Sequence, residues 1–432
     1  AIFDYLLFNR TDQSENTFFR NIKKLNHGHQ IIIKNNNVSI SSWYKLADHL
    51  KEPFRSETEF FDLFQSSVAL RLRSDVPVGV CLSGGLDSSS IVSVISEKLN
   101  KKDIHTFSAV YGEGKSCDES IFINEYKERL PNMFFTTPDA TSLFRDLDPF
   151  ITAHAEPVPS TAPYAQFKVM ELAQRNVTVL LDGQGADEEL TGYHYFFGFY
   201  FKELLYHLKL FTLADEIFHY LKQHKSIFGI KTFLYLMLPS SSKLKLKARH
   251  TNFIPDDFLK SYKAGENVVI QNIYNAKDLH DSLISHFNYK LEHLLKWEDR
   301  NSMWFSLESR TPFLDYRLVE KTLSLPNHMI IKKGRTKHIL RESMKNILPE
   351  KIRIRADKTG FDTPEADWFR SHFFKELIMD TIHSGKFRGR GYIDPVKAEA
   401  VYSKHLARKS DSSRDIWKWI NLELWFRKHI DN

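Results

Sequence analysis

A polar, glycine-containing heptapeptide lies at residues 83–89 (Ser-Gly-Gly-Leu-Asp-Ser-Ser), between a short apolar run and a helical pattern. The two glycines let backbone N–H groups approach a ligand closely, and the hydroxyls add further donors. The N-terminus of the following helix contributes positive potential. The loop is not a Walker A motif, because the GxxxxGK(S/T) spacing and its lysine are absent. The sequence therefore predicts a cradle for a phosphate chain of another type.

This loop lies in a region that alternates between strand and helix patterns. Apolar runs at residues 76–82, 105–110, 133–136 and 177–181 predict strands, and helical spacing covers residues 88–99 and 120–130. The alternation predicts an α/β fold with a doubly wound parallel sheet and helices on both faces. Ligands bind such sheets at the carboxyl ends of the strands, where the polar loops 83–89 and 182–189 begin.

The two ends of the chain have different patterns. Residues 1 to about 50 are rich in β-type patterns, and residues 34–37 (Lys-Asn-Asn-Asn) predict a hairpin turn. After Gly192 the chain is predicted to be helical to its end. Residues 196–250 form an aromatic and basic helical stretch, and we expect its aromatic side chains to be packing residues.

The heptapeptide resembles the SGGxDS pyrophosphate loop of the N-type ATP pyrophosphatases, which cleave ATP to AMP and pyrophosphate. Five further segments, in the same order, resemble the synthetase domain of asparagine synthetases. They are residues 181–193, 300–303, 307–315, 337–341 and 358–361. The resemblance covers roughly residues 50–430 and implies an adenine nucleotide alpha-hydrolase-like ATP-pyrophosphatase domain at 49–432. Residues 1–48 resemble the last strands of an N-terminal glutaminase-type (Ntn) domain, of which they would be a remnant.

The resemblance also implies roles for individual residues. Asp87 and Asp187 are the expected Mg²⁺ ligands, and Mg²⁺ favours one or two carboxylates together with phosphate oxygens. Lys337 is expected to stabilise charge on the α-phosphate and the departing pyrophosphate. The expected catalytic residues are Lys337, Gln184 and Asp187, and the expected ATP contacts are Leu82, Ser83, Gly84, Gly85, Asp87, Ser88, Ala109 and Gly183.

The implied reaction is adenylation of a carboxylate, with aspartate as the leading substrate, followed by attack of ammonia to give asparagine, AMP and pyrophosphate. One departure from the family pattern is Gln184, which stands where the family usually has a glutamate associated with ammonia. Glutamine forms hydrogen bonds but cannot accept a proton at neutral pH. Asp182, which replaces the usual serine, is hypothesised to supply a nearby carboxylate.

A second departure concerns the nitrogen source. The family's glutaminase domain begins with a nucleophilic cysteine, whereas the cysteines here, Cys81 and Cys117, lie within the predicted sheet region. We therefore expect this chain to use free ammonia, and a full-length form to hydrolyse glutamine. So few cysteines indicate a reducing compartment, and we expect a cytoplasmic protein.

The resemblance implies a small-molecule carboxylate and ammonia as partners, and a homodimer is left open. The net charge of +6 is small for 432 residues, which makes nucleic acid an unlikely partner, and no apolar run approaches the roughly 20 residues of a membrane span. Three alternatives remain. One is an amide synthetase for a sugar acid, peptide or secondary metabolite. Another is a tRNA-modifying or argininosuccinate-type enzyme, which shares only the first loop. The last is a non-catalytic nucleotide-binding regulator.

Overall fold

The computed structural model describes residues 1–112, 114–251, 253–261, 267–356 and 362–431. The strands are β1 (His29–Lys34), β2 (Asn37–Ser42), β3 (Val78–Cys81), β4 (His105–Ala109), β5 (Met133–Thr136), β6 (Val179–Leu181) and β7 (Glu308–Arg310). The helices up to the second polar loop are α1 (Ile2–Phe8), α2 (Glu57–Arg71), α3 (Leu86–Ser93), α4 (Ser120–Ile123), α5 (Ala140–His154), α6 (Ala162–Ala173) and α7 (Ala186–Glu189).

The remaining helices make up most of the C-terminal half. They are α8 (Phe196–Tyr206), α9 (Leu210–His224), α10 (Phe228–Leu236), α11 (Ser240–His250), α12 (Asp256–Lys260), α13 (Leu279–Tyr289), α14 (Leu291–Trp304), α15 (Tyr316–Thr322), α16 (Asn327–Ile330), α17 (His338–Ser343), α18 (Glu350–Arg353), α19 (Glu365–Trp368), α20 (His372–His383), α21 (Gly385–Gly389), α22 (Pro395–Leu406) and α23 (Ser413–His429). Within the described residues, no helix is long and apolar enough to cross a membrane.

Five strands form one sheet in the order β5-β4-β3-β6-β7, and every neighbouring pair is parallel. The chain starts this sheet at its centre with β3, moves outward through β4 and β5, and then returns to β6 on the other side of β3. The carboxyl ends of β3 and β6 therefore lie side by side where the strand order reverses. This is the position at which open α/β sheets bind ligands.

Helices cover both faces of the sheet, because successive strand residues point to opposite sides. Val80 and Leu181 belong to a hydrophobic core that also contains buried residues of α2 and α3. On the other face, Cys81 and Leu180 pack in a cluster with Met170 of α6. The predicted α/β class with a parallel sheet and helices on both faces is confirmed.

The N-terminal region departs from its prediction. Its β-structure is the hairpin β1–β2 and one isolated antiparallel bridge between Asn16 and Lys23. The hairpin turn places Asn35 and Asn36 at positive φ, as predicted for asparagine in a tight turn. Residues Ile2–Phe8 instead form α1, whose apolar side chains are buried in a second core with α23. Packing on all sides overrides the weak strand preference of this segment. The origin of residues 1–48 as a remnant domain remains a prediction.

The C-terminal half also contains one element that its prediction missed. Glu308–Arg310 forms β7 and extends the sheet beside β6, although everything after Gly192 was predicted to be helical. A strand of three residues is too short to produce a periodic pattern. Elsewhere the described residues of this half are mainly helical, but the packing prediction for residues 196–250 holds only in part. Tyr206, Phe211, Phe218 and Phe228 are exposed, whereas most aromatic side chains of α8 are core residues. Those buried are Phe196, Phe197, Phe199, Tyr200 and Phe201.

Candidate active site

The predicted phosphate loop joins β3 to α3 and curves around its own hydroxyl groups. The Ser83 and Ser88 hydroxyl oxygens lie 3.0 Å apart, and the Gly85 N–H donates to Ser83 Oγ over 3.3 Å. Gly84 has a φ of +79°, in the left-handed region that favours glycine, and an added Cβ would lie 3.1 Å from the Glu119 carbonyl oxygen. The loop conformation therefore depends on a glycine at this position.

Arg355, which the sequence reading did not single out, holds this loop from the outside. Its guanidinium donates to the Gly84 carbonyl oxygen over 3.0 Å and lies 2.8 Å from a Glu119 carboxylate oxygen. It also lies 3.7 Å from the ring centroid of Phe122. In the sequence, only its position just before the 358–361 motif marks Arg355, and that position does not show whether an arginine is buried.

The second polar loop packs directly against the first, and its glycines make this contact close. A Cβ on Gly183 would lie 3.0 Å from the Asp87 Cβ, and one on Gly192 would lie 1.7 Å from Asp187 Oδ1. Gly185 has a φ of +95° and lies against Leu314. The two loops at the ends of β3 and β6 thus form one continuous surface, as the strand order requires.

Lys337 occupies the centre of this surface. Its Nζ lies 2.5 Å from Asp87 Oδ1, 2.6 Å from Asp87 Oδ2 and 2.5 Å from Asp187 Oδ1. The residue is 4% exposed. Burial lowers the pKa of Lys337, and the Asp87 carboxylate opposes that effect. A buried cation between two carboxylates, each from a different loop, is the central charge arrangement of the site.

A cleft above this arrangement brings most of the predicted residues together. Its lining includes Ser83, Gly85, Asp87, Ser88, Gly183, Gln184, Asp187 and Lys337. Leu82 does not border it, because its side chain is buried in the core and its carbonyl oxygen accepts a hydrogen bond from Ser108. Gly84 and Ala109 also lie outside the lining. Nucleoside contacts by Leu82 and Ala109 remain predictions.

The paired carboxylates fit the expected divalent cation. Within the described ranges, no group of three or more histidine, cysteine, aspartate or glutamate residues is arranged to hold a metal ion. Asp87 and Asp187 nevertheless share Lys337, so their carboxylates lie next to each other at the phosphate loop. Two carboxylates without further protein ligands suit Mg²⁺, which completes its octahedron with phosphate oxygens and water.

Comparison with known proteins identifies the family of the chain. The family described as asparagine synthase matches residues 59–427. The chain belongs to the asparagine synthase family.

Three curated relatives illustrate the range of this similarity. The chain is 27% identical over 448 residues to asparagine synthetase [glutamine-hydrolyzing] 1 of Bacillus subtilis, covering 96% of the chain and 66% of the relative. It is 27% identical over 364 residues to asparagine synthetase [glutamine-hydrolyzing] 3 of that organism, and the match covers 78% of the chain and 54% of the relative. It is 22% identical over 430 residues to amidase chry2 of Gibberella zeae, and the match covers 88% of the chain and 64% of the relative. The chain thus spans no more than 66% of the length of these relatives.

Two buried carboxyl groups lie behind the second loop of this asparagine synthase family member. Asp182 borders the cleft together with Gln184, and its Oδ2 has no hydrogen-bond partner. Burial raises the pKa of Asp182 to about 6, and the Cys81 thiol and nearby backbone N–H groups partly offset this effect. Burial also raises the pKa of Glu298, and negative charge on Asp182 raises it further. One proton is therefore favoured on this pair of carboxyl groups.

The remaining matched segments support the site structurally. The Arg310 guanidinium donates to the carbonyl oxygens of Arg71 and Arg73, both over 2.8 Å, which fixes the end of α2 to the end of β7. Asp315 pairs with Arg71 at 2.6 Å and with Arg317 at 2.8 Å, and these hydrogen bonds lower its pKa to about 2 despite partial burial. The 358–361 motif lies outside the described residues.

Proposed function

We propose that this chain is an ATP-dependent carbon–nitrogen ligase that adenylates a carboxylate, most simply aspartate, and transfers ammonia to it. The products are asparagine, AMP and pyrophosphate. The observation that carries the proposal is the position of Lys337 between Asp87 and Asp187, where the loops after β3 and β6 meet. The family membership supports the reaction class.

The site residues have different roles in the adenylation step. The N–H and hydroxyl groups of residues 83–88 bind the pyrophosphate portion of ATP, which remains as the leaving group when the substrate carboxylate attacks the α-phosphorus. Lys337 is buried, so its charge acts in a water-poor site on the oxygens that gain negative charge. Mg²⁺ held by Asp87 and Asp187 would neutralise phosphate charge when bound. The product of this step is the acyl-adenylate.

The amidation step needs a base. When the nitrogen attacks the acyl carbon, a carbon–nitrogen bond forms, the bond to the AMP oxygen breaks, and nitrogen must lose a proton. Gln184 borders the cleft but cannot accept that proton. Asp182 is our candidate acceptor, because it borders the same cleft and its Oδ2 is unpartnered. Asp182→Asn should then slow amide formation while ATP–pyrophosphate exchange persists, and unchanged amide formation would exclude Asp182 from this role.

For the full-length protein, we propose that glutamine hydrolysis supplies the ammonia. We also propose a cytoplasmic location and a homodimeric assembly. The cation of the adenylation step would be Mg²⁺. The chain itself would use free ammonia. Size-exclusion chromatography with light scattering tests the dimer directly.

A second candidate is an amide synthetase of the same family that acts on a sugar acid, a peptide or a secondary metabolite. Gln184 favours this candidate, because a glutamine in place of the family's usual glutamate removes an ionisable side chain from the proposed amidation site. One relative, at 22% identity, is named an amidase and not an asparagine synthetase. Activity with a different carboxylate, and none with aspartate, would support this candidate.

The deciding experiment incubates purified protein with Mg²⁺-ATP, ammonium and aspartate, and quantifies AMP, pyrophosphate and asparagine together. Equal amounts of all three support asparagine synthesis. AMP and pyrophosphate without asparagine would mean that a different nucleophile completes the reaction. If no product forms, ATP–pyrophosphate exchange with a panel of carboxylates identifies the acid, and no exchange with any acid contradicts the ligase proposal.

A further inference from the structure

The excess positive charge of the chain is concentrated in one segment, residues 206–250. This segment contains eight lysine and arginine residues but only two acidic residues, a net charge of +6. The formal net charge of the whole chain is also +6, so the rest of the chain is neutral overall. Of the two acidic residues, Glu216 is buried and accepts hydrogen bonds from the N–H groups of Lys333 and Gly334, both over 2.9 Å. The other, Asp215, lies 3.2 Å from the His219 ring.

The turn between α8 and α9, in the same segment, exposes large apolar side chains. Leu208 is 79% exposed and Phe211 is 96% exposed, and Tyr206 and Leu210 beside them are also exposed. Leu208 has a φ of +54°, in the left-handed region where glycine or asparagine is the usual residue. Polar residues and glycine normally occupy such a turn, because it faces water. The segment therefore holds apolar side chains at a position that folding alone does not require.

Helix α9 continues this apolar surface on its outer face. Its inner face is fixed to the protein, since Tyr220 is fully buried and its hydroxyl accepts a hydrogen bond from the Gly229 N–H over 2.8 Å. The outer face follows the helical spacing of Phe211, Ala214, Phe218 and Leu221, all of which are exposed. A helix that covers a core normally carries polar residues on its outer face. Here both faces of α9 are apolar.

Exposed lysines flank this outer face. Lys209 precedes α9 in the turn, Lys222 lies in its last turn, and Lys225 follows its end. Helix α10 repeats the combination, with Lys231 exposed between the exposed apolar residues Phe228 and Leu234. Aromatic and aliphatic side chains bordered by lysines are typical of helices that lie in the interface of a membrane.

Charge decides between the surfaces that could cover this face. In a two-fold symmetric dimer the face would meet its own copy, so a segment of charge +6 would lie against another of the same charge. A nucleic acid would supply phosphates but no apolar phase for Leu208 and Phe211. Anionic phospholipids supply both, because their phosphates attract lysines and their acyl chains accept apolar side chains.

We propose that the turn between α8 and α9, together with the outer face of α9, binds the surface of a membrane that contains anionic phospholipids. Leu208 and Phe211 enter the boundary between headgroups and acyl chains, and Lys209, Lys222 and Lys225 pair with the phosphates. The protein thus lies on the membrane without crossing it. This inference does not depend on the ligase function.

The test is co-sedimentation of the chain with vesicles of phosphatidylcholine alone, or of phosphatidylcholine and phosphatidylglycerol in equal parts. Wild type should bind the vesicles that contain phosphatidylglycerol at least about tenfold more tightly. The double variant Leu208→Glu/Phe211→Glu should weaken that binding at least about tenfold. Lys222→Gln/Lys225→Gln should weaken it at least about fivefold and reduce its dependence on salt.

Two controls change the same residue types elsewhere on the surface. Val396→Glu places a carboxylate at a valine of α22 that is 75% exposed. Lys101→Gln/Lys102→Gln removes two charges from an exposed lysine pair. Both should bind vesicles as wild type does. Thermal unfolding of each variant shows that it is folded, and every substituted side chain is exposed.

Three outcomes would overturn the inference. One is a wild type that binds neither kind of vesicle, and another is equal loss of binding in the controls and the test variants. The third is a mass by light scattering that falls by half in Leu208→Glu/Phe211→Glu while wild type does not bind vesicles, which would assign this face to a second copy of the chain. Loss of vesicle binding confined to the two test variants supports the membrane surface.

Discussion

Lys337 is the residue whose removal should affect the chemistry most. Lys337→Met leaves the Asp87 and Asp187 carboxylates side by side without their shared cation and removes the charge that we propose acts on the α-phosphate. ATP–pyrophosphate exchange should fall at least about 100-fold. Lys332→Met, at an exposed lysine five residues earlier, is the control. Exchange within about twofold of wild type in Lys337→Met would show that this cation does not act in adenylation.

Gly192 should be irreplaceable for steric reasons. In Gly192→Ala the new Cβ would lie 1.7 Å from Asp187 Oδ1 and 2.7 Å from Lys337 Cε, so the charge arrangement must shift. We expect the exchange rate to fall at least about tenfold. Gly389→Ala makes a matched comparison, because nothing lies within 4 Å of an added Cβ there. Equal activity of both variants would contradict the close packing of the second loop.

Asp182 should make stability depend on pH in a specific direction. Its pKa is raised from 3.8 to about 6, so the folded state holds a proton that the unfolded state releases. Stability should fall as the pH rises through this window, and Asp182→Asn should remove the effect. Thermal unfolding should show the variant more stable than wild type by about 1–3 kcal/mol at pH 8, with the difference shrinking toward pH 4. A difference independent of pH would rule out this ionisation as the cause.

Residues within short motifs could be predicted from the sequence, whereas isolated residues could not. Asp87, Asp187 and Lys337 stand in motifs whose residue types and order restrict their chemistry. Arg355 has no such context, because a local sequence does not reveal that an arginine is buried. Its hydrogen-bond acceptor, the Gly84 carbonyl oxygen, lies 271 residues away in the chain.

At the scale of elements, α18 and the segment after it stabilise the phosphate loop. Arg355→Met removes the hydrogen bond to the Gly84 carbonyl oxygen and leaves Glu119 without this cation. The KM for ATP should rise at least about tenfold, with a smaller change in the KM for the acid. Lys351→Met on α18 removes an exposed ion pair and should leave both values unchanged. Equal changes in both KM values would indicate general destabilisation instead.

The sheet could be anticipated because buried parallel strands are continuous apolar runs, as residues 177–181 illustrate. The order of the strands could not be anticipated, because it depends on the side of the existing sheet to which each connection carries the next strand. β7 was missed because its three residues, Glu308–Arg310, carry two charges and lie at the edge of the sheet. Even so, the predicted alternation correctly placed both active-site loops at strand ends.

At the scale of the whole molecule, the N-terminal helix and the hairpin should contribute very differently to stability. Leu6 in α1 is fully buried against the core that contains α23, whereas Ile33 in β1 is 72% exposed. Leu6→Ala should lower the free energy of unfolding by about 2–5 kcal/mol, and Ile33→Ala by less than about 0.5 kcal/mol. Denaturant unfolding of both variants measures this contrast. Similar losses would mean that the hairpin is packed in solution.

The hairpin has a consequence for how the protein behaves at high concentration. Ile31 pairs with Ile40 and Ile33 with Val38, so one face of this two-stranded ribbon is a row of exposed aliphatic side chains. Both outer edges present unpaired backbone groups, which are templates for adding further strands. Such a segment favours cross-β stacking between molecules when nothing covers it. We therefore expect these few residues, far from the chemistry, to favour association of this chain at high concentration, and charged substitutions on that face to reduce it.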